Sequence, residues 1–406
     1  MRFETFIAKR LYYAQQGEQR TSRPAVRVAL AGIIIGVMVM LVTVCVVVGF
    51  KQTVTDKVVG FEAHVRVVNF DNNNTYELQP ILAPDSLLTS LRAMPYIKNV
   101  STFITKPCII KTNDAFQGVV LKGTDYWDYF ADNLLAGTLP STDKDVIISQ
   151  RLTQLLHLQV GDPLMCYFVG ENVQVRKLTI VGIYETGFVD FDERFVLCNQ
   201  PVLRQLNRWS EQQVSGIAVQ ADAVKHLYEV SDEVFYATAN RFDADGNAYY
   251  TETVDQLNPQ IFSWLDLLDT NVIVIILLML CVSGFSMVSG LIILILDSIQ
   301  LIGILKSLGS SNRQVRRIFV TQAAMLVGKG VIWGNILGFA LCLVQHVTHL
   351  IPLDAATYYV SYVPMAFPIG WLLLLNVGIV LTSLLILLAP SVIITKISPA
   401  KVMHFE

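Results

Sequence analysis

Four long apolar runs constrain this chain more than any other feature. Residues 25–50, 271–296, 319–347 and 369–394 each exceed the roughly 20 residues that a helical bilayer crossing needs. A backbone in lipid must satisfy its own hydrogen bonds, so runs of this kind become helices. With 53% hydrophobic and only 16% charged residues, the chain is too apolar for an ordinary globular protein and reads as a membrane protein. Between the first two runs, residues 51–270 fall to the hydropathy of a globular domain, long enough for one large domain or two small ones.

Basic residues set the orientation. Arg20, Arg23 and Arg27 precede the first run, Lys306, Arg313, Arg316 and Arg317 lie between the second and third, and Lys396 and Lys401 follow the fourth, whereas 348–368 carries no Lys or Arg. By the positive-inside rule both termini are cytoplasmic and 51–270 is extracytoplasmic. The first run is too long for a cleaved signal peptide, and no small-residue cleavage site follows it. Residues 1–13 place Phe3, Phe6, Ile7 and Leu11 opposite Glu4, Lys9 and Arg10, the pattern of an interfacial helix.

The domain boundaries expected on this reading are 1–24 for the interfacial helix and linker, 25–50 for the first span and 51–270 for the outer domain. The second span (271–296), a cytoplasmic loop (297–318), the third span (319–347), an outer loop (348–368), the fourth span (369–394) and a cytoplasmic tail (395–406) follow. In the outer domain Gln52–Gly60 continues the first helix. Strands are expected at His64–Val68, Val100–Ile110, Phe116–Gly123, Ser215–Gln220 and Tyr249–Val254, and helices at Asp85–Ala93 and Ala221–Ala237. Residues 51–123 and 211–270 pair into one α+β part around a β-rich insert, 124–210, with strands near Leu164–Phe168, Val173–Gly182 and Arg194–Cys198.

No catalytic set emerges. His64, His157 and His226 lie far apart without a nucleophile elbow and read as packed or surface residues. Asp190, Asp192 and Glu193 in GFVDFDERF read as a solvated turn rather than a carboxylate pair for glycoside chemistry. The six cysteines contain no C-x-x-C pair, which argues against zinc and leaves a Cys166–Cys198 disulfide open. His346-x-x-His349 with Asp354 is read as interfacial rather than metal-binding, and Lys329, deep in the third span among glycines, as snorkelling to the headgroups. A net charge of −3 gives no basic surface for nucleic acid. No G-x-x-x-x-G-K-(S/T) loop occurs, so ATP, if used, is hydrolysed by another subunit.

The segment 297–319, DSIQLIGILKSLGSSNRQVRRIF, joins a short amphipathic helix to a glycine break and a basic lead-in. Its core, Ile302-Gly303-Ile304-Leu305-Lys306-Ser307-Leu308-Gly309, resembles the coupling-helix segment IG(I/V)LKALGA of MacB/FtsX-type ABC permeases. The terminal Ile397-Ser398-Pro399-Ala400-Lys401-Val402 is similar to that family's ending. Phe6-Ile7-Ala8-Lys9-Arg10 and the stretch Asn258–Asp269 look most like the lipoprotein-releasing LolC/LolE branch, and Val146-Ile147-Ile148-Ser149 through Val160-Gly161-Asp162 resembles the inserted subdomain of that family.

The resemblance implies an α-helical membrane protein with four transmembrane helices and a large α+β extracytoplasmic domain between helices 1 and 2, the type VII ABC permease architecture. Its outer domain would divide into a Porter part and a Sabre insert. It implies residence in a bacterial inner membrane, a LolD-like ABC ATPase partner binding ATP and Mg, no cofactor in this chain, a second permease that is identical or paralogous, a lipoprotein substrate and surrounding lipid. Ile302–Gly309 would seat in the ATPase. Val44, Val47, Val48 and Phe50 of the first span, with Ile276, Leu277 and Leu280 of the second, would line the acyl-chain cavity. A periplasmic carrier is in question, because the hairpin Phe168–Val173 is short and lacks the proline of the LolC hook. An FtsX-like scaffold activating cell-wall hydrolases and a MacB-like exporter are the other functions the resemblance admits.

Overall fold

The computed structural model describes residues 6–7, 10, 23–72, 77–112, 115–169 and 173–388. Most of the expected interfacial helix, the tip of the 168–173 hairpin, the end of the fourth apolar run and the C-terminal tail lie outside them. In chain order the elements are α1 (Arg23–Glu62), β1 (Val65–Asn69), β2 (Ile81–Leu82), α2 (Asp85–Arg92), β3 (Ile97–Lys111), β4 (Phe116–Thr124), α3 (Asp128–Asp132) and β5 (Leu134–Gly137). Then come β6 (Asp145–Ser149), α4 (Gln150–Leu156), β7 (Pro163–Phe168), β8 (Gln174–Tyr184), α5 (Val189–Arg194), β9 (Phe195–Cys198), α6 (Gln200–Asn207), β10 (Gln213–Val214) and β11 (Gly216–Ala221). The chain continues with α7 (Leu227–Thr238), β12 (Tyr249–Thr253), α8 (Val254–Leu257), α9 (Pro259–Asp297), α10 (Ile299–Ser307), α11 (Asn312–Thr348), α12 (Ala355–Tyr358) and α13 (Ile369–Leu388). The described residues fall into two compact units, one within Met1–Lys51, Leu265–Ile351 and Val363–Glu406, the other within Gln52–Trp264 and Pro352–Tyr362.

Among the described residues four helices, α1, α9, α11 and α13, are long and apolar enough to cross a membrane. In the helical unit α1 is the central one: Ile33, Val37, Met40 and Leu41 are fully buried. Small residues let it approach its neighbours, since lipid offers no hydrophobic drive between helices and close packing must supply the attraction. Gly330, Gly334 and Gly338 on one stripe of α11 face Ile33, Val37 and Leu41 in turn, and a Cβ at Gly334 would lie 2.7 Å from that of Val37. On another side Gly32 and Gly36 receive Ser286 and Ser283 of α9. Between α11 and α13 the amides of Asn335 and Asn376 bond reciprocally, at 2.6 and 3.1 Å, while each also donates to a carbonyl one turn back. Lys51 ties α1 to α9 through Asp269 at 2.6 Å and Asp266 at 3.5 Å.

The other unit is built on a main sheet in the order β12-β1-β11-β3-β4-β9-β6-β8-β5, with β7 pairing β3 and β8, and on a separate two-stranded pair of β2 and β10. β3 is fifteen residues long and serves three neighbours: β11, β4 and β7, all antiparallel. The strands β1, β3, β11 and β12 expected to pair from the two flanking pieces do so. The sheet then continues without a break into the insert through the parallel β4–β9 pair. Helix α6 is fastened to β3 by Gln200, whose amide donates to the carbonyl and hydroxyl oxygens of Thr102.

One expectation for this unit is overturned. GFVDFDERF is not a solvated turn: Val189–Arg194 is helical, with Phe188, Phe191 and Asp192 buried. The carboxylate tolerates burial because it accepts the Thr186 hydroxyl at 2.8 Å and the backbone N–H groups of Thr186 and Gly187 at 3.2 Å each. Phe188 just before the helix, Phe191 on it and Phe195 at the start of β9 are all buried, three rings hidden among charges.

Candidate functional site

The expected coupling segment folds as a helix with two apolar faces. On one, Ile302 and Leu305 are buried with Val315, Ile318 and Phe319 of α11. On the other, Ile304 and Leu308, one turn apart, are 56% and 78% exposed. Gly309 ends the helix at φ +93°, a left-handed conformation that glycine adopts without a Cβ penalty. The Ser310 N–H returns to the Leu305 carbonyl at 3.0 Å. Ser311 then caps α11 in a reciprocal box with Gln314. Helix, stop and restart are thus closed within a dozen residues, which holds Ile304 and Leu308 outward on a rigid turn.

In the sheet unit an aromatic column runs across three segments distant in sequence. Phe61, in the last turn of α1, stacks on Phe191 at 4.5 Å and 11°. Phe191 stacks on Phe188 at 4.9 Å, and Phe188 lies on Tyr359 at 4.1 Å and 8°. The segment Pro352–Tyr362 is held there by Lys57, whose ammonium donates to the Tyr359 carbonyl at 3.2 Å, and by Trp264, edge-on to the same ring at 6.0 Å. Stacked and edge-to-face pairs each add about 0.5–1.5 kcal/mol beyond area burial. The column therefore joins the end of α1, helix α5 and the segment between α11 and α13 as one packed body.

The residues proposed to line an acyl-chain cavity take different positions. Val44 is buried with Cys45, Cys342 and Leu372, and Val48 packs against that cluster. Phe50 is buried, Val47 half-buried. Ile276 and Leu280 pack against the bundle core, while Leu277 is 63% exposed. The outward apolar surface of this region is on α9, where Ile273, Val274 and Leu277 are all exposed.

Residues 28–234 match the MacB-like periplasmic core domain, and residues 273–399 match the FtsX-like permease C-terminal domain. The chain belongs to the MacB/FtsX-type permeases. Among its relatives, the permease is 22% identical over 402 residues, 93% of each chain, to the lipoprotein-releasing system transmembrane protein LolC of Xylella fastidiosa (strain 9a5c). It is 22% identical to the lipoprotein-releasing system transmembrane protein LolE of Haemophilus influenzae, covering 96% of this chain and 97% of that one. The periplasmic region of MacB from Actinobacillus actinomycetemcomitans aligns with 48% of this chain and 91% of its own at 11% identity, with a TM-score of 0.34.

Five histidines of the permease lie among the described residues. His64 is buried and accepts the Ala221 N–H on Nδ1 at 3.1 Å. His226 pairs with Asp222 at 2.6 Å and stacks on Tyr96, and His157 ends α4 in a left-handed turn. His349 likewise terminates α11, and His346 stands edge-on to Phe367. Lys329 is half-buried in α11. Cys166 and Cys198 are free thiols, and Cys166 hydrogen-bonds with Cys108 on β3 instead. That cross-strand neighbour is set by the β3–β7 pairing, which the linear spacing of cysteines does not reveal.

Two buried groups of the periplasmic domain titrate against each other. Burial pushes the Asp192 carboxyl up to about 6, against the hydrogen bonds from Thr186 and Gly187. Burial pulls the His64 imidazole down to about 4. Between about pH 4 and 6 the folded state holds more protons than the unfolded state at Asp192, so its term falls as pH rises; at His64 it holds fewer, so that term rises. The two oppose each other, and the native domain is expected to change little in stability across this window. Asp192→Asn removes the falling term. Its melting temperature, followed by circular dichroism in detergent, should climb from pH 4 to 6.5; a profile parallel to wild type would refute the assignment.

Proposed function

We propose that this chain is a permease subunit of a type VII ABC transporter that extracts lipoproteins from the outer leaflet of a bacterial inner membrane. A separate LolD-like subunit would hydrolyse ATP. Support for the cargo comes from relatives matched over nearly their whole length. Coupling to an ATPase rests on one observation: the outward pair Ile304 and Leu308 on a helix whose other face is locked into the bundle. Closure of the ATPases would push α10, and α9 and α1 are single helices of 39 and 40 residues able to carry that displacement outward. In this reading both termini are cytoplasmic, and a second permease, identical or paralogous, completes the complex.

Acyl chains need an apolar path open to lipid, and burying them is worth about 0.8 kcal/mol per CH₂, which is why removing them from a membrane requires ATP. The outer part of α9 around Leu277, with Val47 and Val48 of α1, is the proposed edge of that path. A photoreactive residue at Leu277 or Val47, in cells whose ATPase partner cannot hydrolyse ATP, should crosslink to lipoproteins. Adducts confined to neighbouring helices, with the outer domain crosslinked to a cell-wall hydrolase, would replace lipoprotein release by a signalling role.

A further inference from the structure

Six strand pairings of the periplasmic domain close into a ring: β3–β4, β4–β9, β9–β6, β6–β8, β8–β7 and β7–β3. A sheet that returns to its first strand is a barrel, with alternate side chains pointing inward. Its shortest joint is the last. Among the described residues β3 and β7 share two register pairs, Ile109 with Tyr167 and Ile110 with Cys166, whereas β3 and β4 share nine. The three cysteines of this domain, Cys108, Cys166 and Cys198, are all buried in the barrel. On β3, Cys108 and Ile110 are buried while Ile109 between them is 40% exposed, and on β7, Leu164, Cys166 and Phe168 are buried in alternation. Cys108 and Cys166 therefore flank the seam on its inner side as diagonal neighbours, and their thiols hydrogen-bond. Cys108 lies one residue past the last register pair, so no ladder to β7 fixes its backbone at a set distance. Cys198 is on β9, which among the described residues pairs with β4 and β6 alone.

A domain carried outside the inner membrane folds where thiols are oxidised. We propose that Cys108 and Cys166 form a disulfide that staples the β3–β7 seam, and that Cys198 stays a thiol. The oxidant is a periplasmic dithiol–disulfide oxidoreductase. One thiolate of the pair attacks its disulfide, a mixed disulfide forms, and the second thiolate displaces the oxidoreductase sulfur. One S–S bond is made in the permease; two electrons and two protons pass to the oxidoreductase, which leaves as a dithiol. This step belongs to folding, before the barrel closes. In the closed barrel neither sulfur is reachable, since Cys108 is 5% exposed and Cys166 0%. The hydrogen bond with Cys166, and then burial, also hold the Cys108 thiol well above its usual value, which leaves it no reactive thiolate. The same burial protects the finished bond. Its stabilising effect grows with the sequence distance it spans, because the cross-link removes more freedom from the unfolded chain.

The test produces the full-length permease in bacteria with and without a periplasmic oxidoreductase of this kind, then denatures it without reductant and alkylates it with a maleimide. From the first host two of the six thiols should escape alkylation, and a non-reduced digest should yield a linked peptide joining Cys108 to Cys166. Cys198→Ser should keep that link. In detergent, wild type from the second host should melt lower by about 5 °C or more, the loss expected for a disulfide of ordinary strength. Cys108→Ala/Cys166→Ala should melt alike from both hosts. Six alkylated thiols from the first host, or a peptide linking Cys166 to Cys198, would overturn the bond. Equal melting of wild type from both hosts would overturn its role as the staple of the seam, and so would a host difference that persists in the double variant.

Discussion

Leu308→Asp is expected to leave the permease folded in the membrane and to sever it from the proposed ATPase partner. Leu308 is 78% exposed and Ile304 56%, so neither side chain contributes to the packing of α10. Seated in a partner's groove, each would be an apolar anchor of the kind whose loss costs 2 kcal/mol or more, and a carboxylate there adds the penalty of an unpaired buried charge. The combined effect is at least about 30-fold in apparent affinity, since about 1.4 kcal/mol is tenfold. Co-purification of the ATPase and permease-dependent hydrolysis measure it. Ile302→Asp is the contrasting variant: Ile302 is fully buried beside Phe319, so it should lower the yield of folded permease itself. If Leu308→Asp retains the ATPase at wild-type levels, α10 does not dock through this face.

The pair of variants also shows what the sequence can and cannot tell. The segment Ile302–Gly309 is legible as a unit, because a glycine stop, a serine cap and basic residues follow it at fixed spacing. Its faces are not legible: Ile302, Ile304, Leu305 and Leu308 are all apolar, and only Val315 and Ile318 of α11 decide which of them are covered. Gly330, Gly334 and Gly338 recur at the spacing of close helix contact, but their partner, the stripe Ile33, Val37 and Leu41 of α1, lies about 300 residues away. Lys122 sits in the strand FQGVVLKGT, where alternation alone assigns it no interior role. Its burial depends on Phe61, Phe103 and Phe195, each contributed by a different element. GFVDFDERF hides its fold for a similar reason, since its carboxylates suggest water, while Asp192 is satisfied by backbone groups that composition does not display.

Helix α5 carries the other large effect. Phe191 is the middle of the Phe61–Phe191–Phe188–Tyr359 column, so Phe191→Ala should break the packed link between the end of α1 and the segment holding Tyr359. Truncating a buried phenylalanine costs about 3–5 kcal/mol through lost contacts and the cavity left behind. The functional consequence follows from the column's place. In the proposed mechanism displacement reaches the periplasmic domain through α1, and a gap at Phe191 removes the ring contact from Phe61 to Phe188, leaving the Lys57–Tyr359 hydrogen bond as the direct tie from α1 to that segment. ATP hydrolysis should then continue while lipoprotein release in proteoliposomes falls at least tenfold. Stability and coupling are separated by Phe191→Leu, which nearly conserves apolar volume and should cost less than about 1.5 kcal/mol, yet lacks a flat ring to stack between Phe61 and Phe188. A folded Phe191→Leu permease that hydrolyses ATP but releases poorly places the defect in transmission through the column. Normal release by that variant would mean that the column holds the domain together and transmits nothing.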